Sequence, residues 1–194
     1  MRSGAASRPG SVRLRHLIVD RDGVLNREAP AGAYIADVEN FHFLPGALEA
    51  LRRLRAAGVR VSVATNQAGV GRGLMSLEQL SAVHEHMQSE ALANGGRLDA
   101  VLFCPHAPDA NCQCRKPAPG LIQSAIERSG IAAAETLVVG DDRRDVEAAR
   151  RAGVRAALVR TGKGREAEGQ LRSDDILVYD DLLQLACALV PEGG

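Results

Sequence analysis

Short, continuous apolar runs alternate along this chain with longer segments whose apolar residues recur at helical spacing. The runs at 17–19, 59–64 and 136–139 have the length and composition of strands buried on both faces. The segments 47–57 and 77–93 carry apolar residues three and four positions apart, which predicts amphipathic helices. Alternating strands and helices of this kind predict a parallel sheet with helices on both faces, a three-layer α/β sandwich.

Polar motifs follow the predicted strands. They are Asp20-Arg21-Asp22-Gly23, Thr65-Asn66-Gln67, Arg115-Lys116-Pro117 and Gly140-Asp141-Asp142, the third of them after a strand at 100–103 and a cysteine-rich loop. Ligands of an open parallel sheet bind at the carboxyl ends of its strands, so we expect these motifs to converge. Carboxylates that hold a divalent cation, beside a lysine and a hydroxyl, are suited to a phosphoryl group in transfer. The motifs predict a magnesium-dependent phosphoryl-transfer enzyme.

Two acids at the first strand end, Asp20 and Asp22, are separated by one residue and therefore point to the same side. One carboxylate of such a pair can attack phosphorus while the other protonates the leaving oxygen and later deprotonates water. The alternative is an ordinary turn with two solvated acids, which is common after strands. Taken alone, this motif leaves both interpretations open.

The remaining motifs supply candidates for metal and phosphate binding. Asp141 is the better candidate for a magnesium ligand, since Asp142 and Asp145 are explained by a helix first turn. Lys116 precedes Pro117, which we expect to begin a helix, and a lysine is electrostatically misplaced there unless it has a function. Thr65 is unremarkable by itself and is a candidate only because of its position in the set.

Three of the four cysteines lie in one short loop together with a histidine. Cys104, His106, Cys112 and Cys114 form two close pairs separated by a turn, the pattern of a tetrahedral zinc site. Four protein ligands leave no open position on the metal, so we expect a structural zinc that orders the loop before Lys116. The alternative, a chance cluster of buried thiols, does not suit a loop rich in proline and polar residues.

Composition narrows the possible classes. The chain has 194 residues, with Lys plus Arg and Asp plus Glu both at 24, so no net positive charge favours nucleic acid or an anionic membrane. We expect a disordered tail at 1–14 and one domain at 15–190, because no long linker divides the chain. With neither a targeting signal nor a membrane-spanning apolar stretch, we expect a cytoplasmic monomer.

The four motifs in this order resemble the haloacid dehalogenase superfamily of aspartate-nucleophile phosphatases. The cysteine-rich loop, together with the motifs that begin at Asp20 and Thr65, is similar to the histidinol-phosphatase and heptose-bisphosphate-phosphatase branch of that superfamily. The resemblance covers about 17–162 of the chain. It implies a Rossmann-like sheet without a large cap domain, leaving only a flap at 24–43 and the zinc loop above the site.

The resemblance also implies a role for each candidate residue. Asp20 is the expected nucleophile and Asp22 the general acid and base. Magnesium is expected on the Asp20 carboxylate, the Asp22 main-chain carbonyl and the Asp141 carboxylate. The residues expected to contact the substrate are Thr65 and Lys116 at the phosphoryl group, and Asn26, Asn66, Gln67 and Arg115 around it. The expected substrate is a phosphorylated sugar.

Alternatives to this function remain at the level of the sequence. Histidinol phosphate is the alternative substrate, and the acidic residue at 142, where this branch commonly has a basic one, leaves that choice open. A phospho-accepting receiver module uses similar residues but lacks the zinc loop and the flap. A zinc-based nucleic-acid module is disfavoured by the neutral charge and by an aromatic content of 3%.

Overall fold

A single parallel sheet organises the residues described by this computed structural model, which are 13–171 and 176–190. Within them, the sheet has six strands in the order β3-β2-β1-β4-β5-β6. Their bounds are β1 His16–Val19, β2 Arg60–Asn66, β3 Ala100–Cys104, β4 Thr136–Gly140, β5 Arg155–Val159 and β6 Leu177–Tyr179. Every neighbouring pair is parallel, as the buried apolar runs predict.

Helices cover both faces of this sheet. The helices of the described residues are α1 Ala47–Ala56, α2 Ala68–Gly71, α3 Leu77–Ala93, α4 Gly120–Ser129, α5 Arg143–Arg151, α6 Gly164–Gln170 and α7 Leu182–Leu189. Leu17 and Val19 pack among residues of α1, α3 and α7, whereas Ile18 packs among residues of α4 and α5. This alternation along one strand confirms the predicted three-layer α/β sandwich.

The strand order determines where a ligand can bind. The chain goes outward from β1 through β2 to β3, then crosses back to β4 on the other side of β1. Helices that connect the two halves leave on opposite faces, so a crevice opens beyond the carboxyl ends of β1 and β4. Val19 is in register with Val63 of β2 and Val139 of β4, which brings three of the polar motifs to the same level.

The third motif is arranged differently from its prediction. Helix α4 begins at Gly120 and not at Pro117. The residues in between form turns in which the Ala118 amide donates to the Arg115 carbonyl at 2.7 Å and the Gly120 amide to the Gln113 carbonyl at 3.1 Å. A Cβ at residue 120 would lie 2.4 Å from that Gln113 oxygen, so the helix start requires glycine against the cysteine-rich loop.

The flap at 24–43 lies over the end of β1 and is part of the same core. Ile35 and Phe41 are buried with the α1 and α3 side chains. Phe41 and Phe43 make an edge-to-face ring contact at 5.1 Å, and the Leu44 amide donates to the Leu25 carbonyl at 2.8 Å. No separate cap domain is present in the part of the chain that the structure describes, in agreement with the prediction.

The structure describes only part of the chain near the predicted domain limits. The tail expected at 1–14 lies outside the described residues except for its last two positions, and 15–190 as one domain stays a prediction. Among residues 13–171 and 176–190, no helix has the length and apolar character required to cross a membrane.

A buried histidine in β1 links folding to pH. The His16 ring has no solvent exposure, and its Nε2 shares a hydrogen bond of 2.8 Å with the Ser62 hydroxyl. Burial lowers the pKa of His16 from its ordinary value of 6.5 to about 4; Asp99 opposes this effect and Arg60 adds to it. The native state therefore keeps this imidazole neutral where the unfolded chain takes up a proton.

We expect the free energy of unfolding to fall as the pH falls from about 6.5 towards 4. In this range the unfolded chain binds a proton at His16, whereas the folded chain, in which the pKa of His16 is lowered, does not, so the proton favours unfolding. His16→Gln keeps a polar partner for Ser62 but removes the titration. Urea unfolding at about pH 7.5 and about pH 5 should show a smaller loss for this variant than for the unmodified chain. The matched control is His42→Gln at an exposed histidine, which should lose as much as the unmodified chain; equal losses in all three proteins would contradict the assignment.

Candidate active site

A cavity of about 590 Å³ lies beyond the carboxyl ends of β1, β2 and β4. Its floor is formed by residues of the four motifs, and residues 28–35 of the flap form one wall. The predicted site residues that line it are Asp20, Asp22, Thr65, Asn66, Gln67, Arg115, Lys116 and Asp141. The structure thus brings together motifs that lie up to 121 positions apart in sequence, from 20 to 141.

Lys116 is a buried cation at the base of this cavity, with its side chain 3% exposed. Its Nζ lies 2.9 Å from Asp20 Oδ1 and 2.5 Å from Asp145 Oδ1, and donates to the Ala64 carbonyl at 2.7 Å. Burial disfavours the charged form, but the carboxylates of Asp145 and Asp20 outweigh it and raise the pKa of Lys116. The raised pKa keeps the ammonium group charged at neutral pH, where it pairs directly with the expected nucleophile.

Three carboxylates lie close together at this point, and two of them, Asp20 and Asp145, contact the ammonium group. Oxygens of Asp20, Asp141 and Asp145 all lie within 4.8 Å of one another. Burial raises the pKa of Asp141 to about 8, and the charges of Asp20 and Asp145 add to this effect. Burial likewise raises the pKa of Asp20 to about 6, although Lys116 opposes it. Hard oxygen ligands in excess of the nearby positive charge fit a divalent cation such as Mg²⁺.

Asp22 faces a different set of partners. The Arg21 guanidinium donates from Nη2 to both of its oxygens at 3.0 Å, Asn26 Nδ2 donates at 2.9 Å and Gln67 Nε2 at 2.8 Å. Burial alone would raise the pKa of Asp22, but Arg21 and the two amides lower it overall. The Asp22 carboxylate is thus kept ionised and apart from the metal-binding group, and a metal role for its main-chain carbonyl stays a prediction.

Asn66 and Thr65 hold their neighbours in place. The Asn66 side chain donates from Nδ2 to the Lys116 carbonyl and accepts from the Lys116 amide, both at 3.0 Å. The Thr65 hydroxyl accepts from Gln67 Nε2 at 2.9 Å while its side chain is buried at the cavity floor. Asn66 therefore fixes the backbone of Lys116 across 50 positions of sequence.

Asn26 requires a correction. The sequence resemblance placed it at the substrate, but its side chain is fully buried and does not line the cavity. Its side-chain Nδ2 donates to an Asp22 oxygen at 2.9 Å and to the Arg27 carbonyl at 2.8 Å. Asn26 supports Asp22 from behind, because the chain reverses over it to form the flap.

Arg115 and Arg144 are two of the four arginines that line the cavity. Arg115 Nη1 is buried and has no hydrogen-bond partner, so a donor is left for a ligand. Arg144 is 43% exposed, and its Nη2 and Nε lie 2.6 Å and 3.0 Å from the two oxygens of Asp142. Asp142 therefore places a cation in the cavity indirectly, because it orients the guanidinium of Arg144.

Asp141 is enclosed on both sides by glycine backbone. A Cβ at Gly23 or at Gly162, both with positive φ, would lie 2.0 Å from Asp141 Oδ2. The Lys163 amide donates to the same oxygen at 2.9 Å, while Lys163 Nζ lies 2.5 Å from Glu28 of the flap. The loop after β5 thus fixes Asp141 and ties the flap to the site, a contribution that no sequence motif indicated.

The cysteine-rich loop forms the predicted cluster. The Sγ atoms of Cys104, Cys112 and Cys114 and Nδ1 of His106 are separated by 3.3–3.6 Å in the five pairs that approach closely. Zinc–sulfur bonds of about 2.3 Å in a tetrahedron place sulfurs about 3.7 Å apart, so the four atoms fit a zinc ion. Burial raises the pKa of the Cys104 thiol to about 12, which a bound cation would reverse.

Asp145 and Arg144 are two further residues whose roles the sequence did not predict. Asp145 was explained as a helix first-turn acid, and it does complete a capping box with Asp142. Its other oxygen, however, pairs with Lys116. A signal was present in Gly140, since a Cβ there would lie 2.2 Å from the Asp145 side chain. Arg144 had no comparable signal, because its position depends on the pairing with Asp142.

Comparison with known proteins places these features in a family. The HAD-hydrolase-like family model matches residues 113–185. D-glycero-beta-D-manno-heptose-1,7-bisphosphate 7-phosphatase of Pseudomonas putida is 38% identical over 177 residues, covering 91% of this chain and all of the relative. D-glycero-alpha-D-manno-heptose-1,7-bisphosphate 7-phosphatase of Mycobacterium bovis is 41% identical over 134 residues, covering 69% of this chain and 70% of the relative.

A solved structure agrees with both comparisons. D,D-heptose 1,7-bisphosphate phosphatase of Bordetella bronchiseptica, in complex with magnesium and phosphate, is 38% identical, with a TM-score of 0.87 over 93% of this chain and all of that one. Identity at this level over nearly the full length of both chains extends well beyond the motifs. The chain belongs to the haloacid dehalogenase-like phosphatases, in the branch of the heptose-1,7-bisphosphate 7-phosphatases.

Proposed function

We propose that this chain hydrolyses D-glycero-D-manno-heptose 1,7-bisphosphate at carbon 7, through a phosphoryl group carried on Asp20. The observation that carries the proposal is the Asp20 carboxylate at the cavity floor, bound to the buried ammonium of Lys116 and next to two further acids. The names of the relatives support the substrate, and the bound ions of the Bordetella bronchiseptica structure support a magnesium-dependent reaction.

In the first step, an Asp20 oxygen attacks the phosphorus while the bond from phosphorus to the carbon-7 oxygen breaks. Lys116 holds Asp20 by one oxygen and leaves the other for attack. The departing oxygen takes a proton from Asp22, which must be protonated when the substrate is bound. A phosphate dianion in the cavity raises the pKa of a neighbouring carboxyl group, in the direction this step requires.

In the second step, Asp22 acts in the form that the structure displays. Its carboxylate, kept ionised by Arg21, removes a proton from water, which then attacks the phosphorus on Asp20. The phosphorus–Asp20 bond breaks and inorganic phosphate leaves. Thr65 and Gln67, at the cavity floor, are suited to orient the oxygens of the phosphoryl group as it moves between the two steps.

We assign Asp20 and Asp141, with the main-chain carbonyl of Asp22, to the binding of Mg²⁺. When bound, the ion neutralises the phosphoryl oxygens and the carboxylates that would otherwise repel them. Asp145 stays with Lys116, since that ammonium already has its shortest contact there. Zn²⁺ at Cys104 and its three partners is proposed as structural.

Among the cationic side chains that line the cavity, we assign two to the second phosphate of the substrate. Arg115 presents an unpartnered Nη1, and Arg144 is aimed by Asp142. Histidinol phosphate was favoured by an acid at 142 that is free to bind an ammonium group. Both oxygens of Asp142 are instead occupied by Arg144, which removes that support and favours a bisphosphate.

We further propose that the protein acts as a monomer in the cytoplasm. One chain supplies every residue placed in the reaction above. Three reduced thiols in the zinc loop suit a reducing compartment.

Changing the two strand-end acids should separate the two steps. Asp20→Asn should abolish turnover, because it removes the nucleophile. Asp22→Asn should leave Asp20 intact but slow the breakdown of the phosphorylated protein by about 10²-fold or more. With 4-nitrophenyl phosphate, whose leaving group needs no proton from Asp22, mass spectrometry of rapidly quenched protein should locate phosphate on Asp20 in this variant. Glu127→Gln, an exposed acid-to-amide change on α4, is the control. Normal turnover by Asp20→Asn would refute the assignment.

Substrate preference should be visible in side-by-side kinetics. Heptose 1,7-bisphosphate should give kcat/KM at least about tenfold above histidinol phosphate, because two charge-assisted contacts are made to the second phosphate. Arg115→Ala and Arg144→Ala should each reduce that ratio, whereas Arg128→Ala, on the exposed side of α4, should not. A preference for histidinol phosphate would overturn the substrate and leave the phosphatase reaction standing. Including both anomers of the bisphosphate would identify the preferred one.

Metal content should distinguish the two sites. The purified protein should contain about one zinc per chain and still require magnesium. Cys112→Ser should lose zinc and activity, because the loop that carries Arg115 and Lys116 is no longer ordered; Cys187→Ser, outside the cluster, should lose neither. Turnover supported by zinc alone in magnesium-free protein would show that the structural role is wrong.

A further inference from the structure

Arg21 is a buried arginine between the two strand-end acids, with its side chain 1% exposed. Its Nε and Nη2 are used by Asp22, at 3.3 Å and 3.0 Å. The remaining nitrogen, Nη1, lies 3.1 Å from Nε2 of His84. Both atoms of this contact belong to buried side chains, so water does not readily replace either partner.

The chemistry of this contact fixes the state of the histidine. A guanidinium group only donates hydrogen bonds, so Nε2 of His84 must accept, and the ring proton is then on Nδ1. Burial lowers the pKa of His84 to about 4, and the charge of Arg21 adds to the effect while Asp22 opposes it. The ring packs against Phe103 of β3 at a centroid distance of 5.6 Å, which fixes its direction.

We propose that His84 is a positioning residue for the reaction, which acts through Arg21 to hold the Asp22 carboxylate at the angle needed for proton transfer. The proposal rests on the function of Asp22 proposed above. His84 comes from α3 and does not line the cavity. The Arg21 guanidinium is planar and rigid, so the contact that fixes Nη1 at His84 also fixes the direction of Nε and Nη2, which bind Asp22.

Removing the acceptor has a specific consequence. Without it, Nη1 is a buried donor with no partner, and the guanidinium must turn to find one. Turning it moves the three hydrogen bonds that Nε and Nη2 donate to Asp22, while Asn26 and Gln67 retain theirs. Proton donation to the leaving oxygen becomes slower, but Asp20, Lys116 and the metal-binding acids are not touched. The loss should therefore depend on how much the leaving group needs a proton.

Three substitutions of His84 test this inference. His84→Leu removes the acceptor because leucine has no polar atom. His84→Asn removes it because the shorter side chain does not reach Nη1 of Arg21. His84→Gln offers an amide oxygen at the end of a longer side chain and should restore much of the effect. His86→Leu, two positions along the same helix and paired with Glu90, is the matched control. Thermal unfolding establishes that each variant folds, and His84→Asn carries the test if His84→Leu does not.

The measurement is kcat/KM for two substrates, since this ratio reports the steps up to loss of the leaving group. Heptose 1,7-bisphosphate releases an alcohol that needs a proton, whereas 4-nitrophenyl phosphate releases a stable anion. We expect His84→Leu and His84→Asn to reduce kcat/KM about tenfold for the first and less than about twofold for the second, a part of the 10²–10⁴-fold that general acid catalysis supplies. His84→Gln should lie near the unmodified chain for both substrates.

Asp22→Asn separates this inference from the proposed function. If Asp22→Asn lowers kcat/KM equally for both substrates, Asp22 is not the general acid and the proposed function fails at that point. If Asp22→Asn lowers kcat/KM more for the heptose bisphosphate than for 4-nitrophenyl phosphate, but neither His84→Leu nor His84→Asn does so, the positioning role of His84 is refuted and the proposed function stands. Equal loss for both substrates in the His84 variants also refutes it, because a general structural defect behaves in that way.

Discussion

The concentration of negative charge at the carboxyl ends of β1 and β4 is the constraint on which the rest of this site depends. Asp20, Asp141 and Asp145 are held within 4.8 Å of one another with one buried ammonium group among them. In the absence of a further cation such a group is costly, because burial and mutual repulsion both oppose ionisation, as the raised pKa of Asp141 shows. The fold tolerates the arrangement since it is over-determined by packing and by hydrogen bonds.

Much of the surrounding structure serves to hold this charge in place. Asn66 fixes the backbone of Lys116 from the neighbouring strand, and the cysteine-rich loop delivers the same residue from the other side. Gly23 and Gly162 allow the backbone to close on Asp141, where any side chain would collide with it. The site therefore has little freedom to relax, which is how a protein keeps acids close together until substrate and metal arrive.

The sequence predicted the layers, the parallel sheet and the convergence of the four motifs, because buried strands and their polar ends leave strong local patterns. The spacing of the cysteine-rich loop also predicted that Cys104, His106, Cys112 and Cys114 would cluster, and their side chains do lie together. Local patterns could not show which partner each polar side chain selects. Asp145 was explained by its helix, Asn26 was placed at the substrate, and Arg144 was not noticed, since each depends on contacts between distant segments. The start of α4 was missed for the same reason.

The most direct test of the crowded acids is the unfolding free energy of Asp141→Asn and of the unmodified chain, with and without Mg²⁺, at about pH 8. In EDTA the variant should be the more stable by about 1 kcal/mol, because one repelling charge is removed from a buried group. Saturating Mg²⁺ should stabilise the unmodified chain and reverse that order, since the variant has lost a ligand. A variant that is less stable in EDTA, with no stabilisation of the unmodified chain by Mg²⁺, would contradict the account.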